Sequence, residues 1–124
     1  MIYEFCAENF TLIEKAMEAG AHRIELCDNL AVGGTTPSYG VTKAAVELAA
    51  NYETTIMTMI RPRGGDFVYT NQEVAIMLDD IRLTAQTGSQ GVVFGALTVD
   101  NKLDKFNLEK LIAASNGMEI VFHM

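Results

Sequence analysis

The residues in this chain best suited to chemistry are two cysteines, each two positions after a glutamate. Glu4-Phe5-Cys6 and Glu25-Leu26-Cys27 repeat the same pattern, with one helix-length segment between them. Residues two apart in a strand share a face, so each glutamate would lie beside its cysteine. Two such strands side by side bring two thiols and two carboxylates together. Adjacent strands lie roughly 4.8 Å apart, so equivalent cysteines would be close enough to share one soft ion. The plain alternative is a pair of small buried apolar residues.

A second set of residues carries charge. Continuing the same strand alternation, the third strand offers Met57, Met59 and Arg61 on the face of the cysteines, and the last offers Val121 and His123. Glu4, Glu25, Arg61 and His123 are therefore candidate catalytic groups. A buried carboxylate acts as a general base, and arginine suits a carboxylate or phosphate on a small anionic substrate. Asn29, Arg63 and Asp66, in the loops after the second and third strands, are the candidate substrate contacts. The competing reading is a structural Glu–Arg network and methionines that only fill the core. His22 begins a strand at the end away from these loops and is expected at the surface or in packing.

Positioning these groups requires alternating strands and helices. Ile2 to Cys6 reads as a strand. Thr11 with Glu14 has the pattern of a helix-capping box, and Gly20 is placed to end that helix. Arg23 to Cys27 is the second strand. After a Gly/Pro loop, Val41, Ala44, Ala45, Leu48 and Ala49 repeat at helical spacing. Thr54 to Ile60 is a β-branched, Met-rich strand, followed by the breaker-rich loop Arg61 to Tyr69. Thr70 and Glu73 form a second capping box for a helix bearing Val74, Met77, Leu78, Ile81 and Ala85, stopped by Gly88. Gly91 to Leu97 is an apolar strand, Asn107 opens a shorter helix, and Glu119 to Met124 is a fifth strand.

Four β-α repeats and a final strand predict an α/β fold with parallel pairing and right-handed crossovers. The expectation is a parallel (β/α)8 TIM-type barrel, of which residues 1–124 supply the first four β/α units plus a fifth strand, as a single domain forming its N-terminal half. Such an arc leaves strand edges unpaired, so a homo-oligomer is expected. The first strand is not followed by a G-x-G-x-x-G nucleotide fingerprint.

Composition narrows the partners. An apolar fraction of 49% supports a packed core, and a formal net charge of −7 argues against a nucleic-acid backbone as ligand. No apolar stretch approaches membrane-spanning length. The N-terminus lacks a signal-peptide pattern, and two cysteines are no disulfide framework, so a reducing, cytoplasmic setting is expected.

The loops carry a resemblance. Asp28-Asn29-Leu30-Ala31-Val32-Gly33-Gly34-Thr35-Thr36-Pro37-Ser38-Tyr39-Gly40 closely resembles the D-N-L-x-x-G-G-x-T-P-S-x-G stretch of the copper homeostasis protein CutC family. Met59-Ile60-Arg61-Pro62-Arg63-Gly64-Gly65-Asp66-Phe67-Val68-Tyr69 is similar to the family's M-I-R-P-R-G-G-D-F-x-Y stretch. Gly91 to Leu97 and Phe122-His123 fit two further blocks. The resemblance implies a cytosolic barrel about twice this length, a role in copper tolerance or trafficking, and copper binding at Cys6 and Cys27. Softness agrees, because thiolate and thioether suit Cu(I). The bound species is thus expected to be a copper ion, or else the small anionic ligand of an unassigned barrel enzyme.

Overall fold

The computed structural model describes residues 1–123. Strand β1 (Glu4–Glu8) leads through the short helix α1 (Ile13–Glu18) to β2 (Arg23–Cys27). A 3-10 turn at Leu30–Val32 follows, then α2 (Tyr39–Ala49), β3 (Thr55–Met59), α3 (Asn71–Thr87), β4 (Gly91–Phe94), α4 (Lys105–Ala114) and β5 (Glu119–Phe122). The strands form one parallel sheet in the order β1-β2-β3-β4-β5. A doubly wound sheet must reverse its strand order at a switch point. Here the order never reverses, as required of an arc of a β/α barrel wall.

Alternation along the strands divides the core into two faces. Ala7, Ile24, Leu26 and Ile56 pack against Ile13 and Met17 of α1 and Ala45 and Ala49 of α2. Val92 and Phe94 pack against Val74, Met77 and Ile81 of α3 and Leu108 and Leu111 of α4. Each large apolar side chain so buried contributes about 1.5–3 kcal/mol. The opposite, helix-free face is lined by the smaller cluster of Cys27, Met57, Met59 and Val93, with Val121 against it. This is the inner face of the arc.

Local chemistry explains most element ends. The Thr70 hydroxyl accepts from the Glu73 amide and the Glu73 carboxylate accepts from the Thr70 amide, completing the expected capping box of α3. Gly88 ends that helix with φ of 86°, in the left-handed region. The capping box expected at Thr11 does not form. Leu12 occupies the N-cap of α1 at φ 60° without a side-chain cap, and Glu14 instead accepts a hydrogen bond from the Tyr52 hydroxyl at 3.0 Å. α4 starts earlier than Asn107, because the Asp104 carboxylate accepts from the Asn107 amide as N-cap. β1 is shifted two residues along the chain from Ile2–Cys6, which brings Glu8 into the ladder. The fourth strand ends at Phe94, short of Leu97, which bridges to Leu103. β5 ends at Phe122, and Met124 lies outside the described residues.

Candidate functional site

The inner face presents Glu4, Cys6 and Glu8 from β1 and Arg23, Glu25 and Cys27 from β2. Next to them stand Met57 and Met59 from β3 and Glu119 and Val121 from β5. The register corrects one expectation. Cys6 pairs with Glu25, and Glu8 pairs with Cys27, so the two cysteines are diagonal neighbours rather than equivalent positions. The repeated Glu-x-Cys pattern suggests alignment, but the strands are staggered by two residues relative to it. Diagonal neighbours lie farther apart than directly opposed ones, about 7–8 Å, yet Cys6 is near enough to influence the Cys27 thiol. The Cys27 thiol leans toward β1 and donates to the Ala7 carbonyl at 3.5 Å.

Both thiols are held in their neutral form. Burial, then the carboxylates of Glu25 and Glu4, push Cys6 up from the usual thiol range. Burial, then Cys6, Glu25, Glu8 and Asp28, push Cys27 up to about 11. Cys27 is buried and Cys6 exposed. Neither is an activated nucleophile at neutral pH, since nucleophilicity requires the thiolate. Glu25 is half-buried and its carboxyl is also pushed up, by burial and by Glu4, against the lowering effect of His123 and Arg23. Glu8 was missed at the sequence level. It follows Cys6 by two residues, so the alternation that selected Cys6 also selects it. Its carboxylate accepts from the Leu30 amide at 2.8 Å, tying β1 to the loop after β2.

Of the charged candidates, Glu4 and His123 lie near enough to Glu25 to influence it, whereas Arg61, Arg63 and Asp66 are engaged within the loops. Glu4 pairs with Arg23, Nε to Oε2, at 2.5 Å, and not with Arg61. Arg61 is 5% exposed and its guanidinium is spent on the backbone. Nη1 donates to the carbonyls of Val32 at 2.6 Å and Gly34 at 3.0 Å, and Nη2 donates to Gly65 at 2.7 Å. The cation stacks on the Phe67 ring at 4.8 Å, leaving only Nε without a partner. Arg61 therefore clamps the loop after β2 to the loop after β3. Arg63 behaves similarly, with ion pairs to Glu73 at 2.6 Å and Asp66 at 3.1 Å and a bond to the Val68 carbonyl. Asp66 also accepts from the Val68 amide, and Asn29 is an exposed left-handed residue that caps the 3-10 turn. His123 sits beyond β5, its amide bonded to the Phe94 carbonyl and its ring 5.7 Å from Phe67. His22 packs its ring on Tyr3 and accepts from the Tyr3 amide.

Among the described residues no group of three or more His, Cys, Asp and Glu side chains is gathered to hold a metal ion. What the inner face does gather is sulfur: one buried thiol, one thiol diagonal to it, and two thioethers. That donor set fits a soft ion such as Cu(I) and does not fit a hard cation needing several oxygens.

A CutC family model matches residues 1–124. The chain belongs to the CutC family. It is 52% identical over its whole length to a CutC family protein of Streptococcus pyogenes and, equally, to one of Enterococcus faecalis, covering 59% of each. It is 41% identical to the copper homeostasis protein cutC homolog of Dictyostelium discoideum, over 98% of this chain and 46% of that one. The crystal structure of CutC from Streptococcus agalactiae superposes with a TM-score of 0.95 at 47% identity, with all of this chain matched to 59% of that one. The chain thus spans about half to three-fifths of the length of these relatives. Among the described residues, no helix is long and apolar enough to cross a membrane.

Proposed function

We propose that this chain serves copper homeostasis by carrying Cu(I) on the inner face of its sheet, with Cys27 and Cys6 as thiolate ligands, in the cytoplasm. Copper is the cargo here, not a catalytic cofactor. The observation that carries the reading is the sulfur cluster: Cys27, Met57 and Met59 pack together on the inner face, with Cys6 diagonal to Cys27 on the neighbouring strand. Membership of the CutC family supports the same role. A reducing cytoplasm suits two cysteines that are both free thiols.

The anionic-substrate reading loses support because both arginines that would bind the anion are engaged with loop carbonyls or carboxylates. The test is a Cu(I) competition titration against a chromophoric chelator, using the chain and its Cys6→Ser/Cys27→Ser variant. The chain should withdraw Cu(I) from the chelator and the variant should not. Equal affinity in the two proteins would remove the site.

A further inference from the structure

The two inner-face methionines look interchangeable in the sequence, yet they point to different places. Both are almost fully buried, Met57 at 1% and Met59 at 2% exposure. Met57 swings toward β4: its Cε lies 2.6 Å from where a Cβ at Gly91 would stand. Gly91 is thus the space that Met57 fills, on the side of β3 away from the cysteines. Met59 turns the other way. A Cβ at Gly34 would stand 3.5 Å from Met59 Cε, 3.3 Å from Cys27 Sγ and 3.2 Å from Cys27 Cβ. Cys27 and Met59 also lie one step beyond Leu26 and Thr58, the last residues paired between β2 and β3. The Cys27 thiol and the Met59 terminal methyl thus both close on the same point of the Gly34 backbone, where only a glycine fits.

From this geometry we propose that Met59, and not Met57, is a third ligand for Cu(I), completing a Cys6–Cys27–Met59 set; the inference rests on the copper reading above. Cys27 is the centre of the set, leaning toward β1 through its bond to Ala7 and sharing the close approach of Gly34 with Met59. A thioether carries no charge and no proton, so it adds a soft donor without adding to the acidity around Glu8 and Glu25. Trigonal sulfur coordination is well suited to a d¹⁰ ion, which imposes no planar or octahedral geometry. Gly34 then has a second role besides its turn, because any side chain there would press on the sulfur of Cys27.

The test compares Met59→Leu with Met57→Leu, each loaded with Cu(I). Both substitutions keep volume and remove one thioether from a buried site, so general loss of packing affects them alike. Met59→Leu should weaken Cu(I) affinity by about tenfold or more, while Met57→Leu stays within about twofold. X-ray absorption at the copper edge should show about three sulfur neighbours in the parent and about two in Met59→Leu. Equal affinities in the parent and Met59→Leu, or equal losses in both leucine variants, would overturn the assignment. Cys27→Ser in the same series separates the two levels of inference. Loss in Cys27→Ser with an unchanged Met59→Leu removes only the third ligand, whereas unchanged affinity in Cys27→Ser removes the copper reading along with it.

Discussion

At the scale of single residues, the chemistry of the inner face follows from setting two thiols, one buried and one exposed, beside carboxylates. Exposure should decide reactivity, so a thiol-alkylating reagent at neutral pH should label Cys6 well before Cys27, read by peptide mass spectrometry. Cu(I) loading should protect Cys6, and equal labelling of both cysteines would contradict their placement. The raised Cys27 value also links to stability. The folded chain keeps this proton to about pH 11 while an unfolded thiol loses it near pH 9.0. The folded state therefore binds more protons between those values. The contribution is fully present below pH 9 and falls as pH rises toward 11, with a limiting slope of about 1.4 kcal/mol per pH unit. Denaturant titrations across that range should show a shallower loss in Cys27→Ala than in the parent, and parallel curves would refute the linkage.

At the scale of elements, the loops after β2 and β3 form one construction held by Arg61. Its three carbonyl bonds and its stacking on Phe67 are made by a buried cation that has no carboxylate partner among the described residues, so its removal leaves loop carbonyls unsatisfied. Arg61→Met should cost about 3 kcal/mol in chemical denaturation and expose both loops to proteolysis. Thr70→Ala, which opens the capping box of α3, should cost only about 1 kcal/mol. A smaller effect at Arg61 than at Thr70 would contradict the clamp. The sequence announces α3 completely, since Thr70, Glu73, the apolar stripe and Gly88 all agree. It misleads at Thr11, where the local pattern is right but Leu12 takes the cap and Glu14 is drawn away to Tyr52. Strand alternation foretells which side chains face inward, because it is a local property. Stagger between β1 and β2 is not local, and so the alignment of Cys6 with Cys27 could not be read from spacing. The commitment of Arg61 and Arg63 to backbone carbonyls is equally invisible in residue types, which announce only their charge.

At the scale of the whole molecule, the sequential sheet leaves β1 and β5 at its two edges, with Phe5 and Phe122 exposed on them. Unpaired edges with exposed aromatics favour strand-to-strand association. Light scattering should therefore show species larger than one chain at micromolar concentration, and a monodisperse single-chain species would contradict this. The inner face carries Glu4, Glu8, Glu25 and Glu119 with Arg23 and His123 as basic neighbours, on a chain of net charge −7, which favours accumulation of cations there. The central claim is that the ion is held by two thiols that are protonated until it arrives. Proton release on adding Cu(I) in weakly buffered solution at neutral pH measures this directly. Ligation by both Cys6 and Cys27 should release about two protons per ion bound. Binding with no proton release would mean that thioethers or carboxylates hold the copper, and would contradict the account.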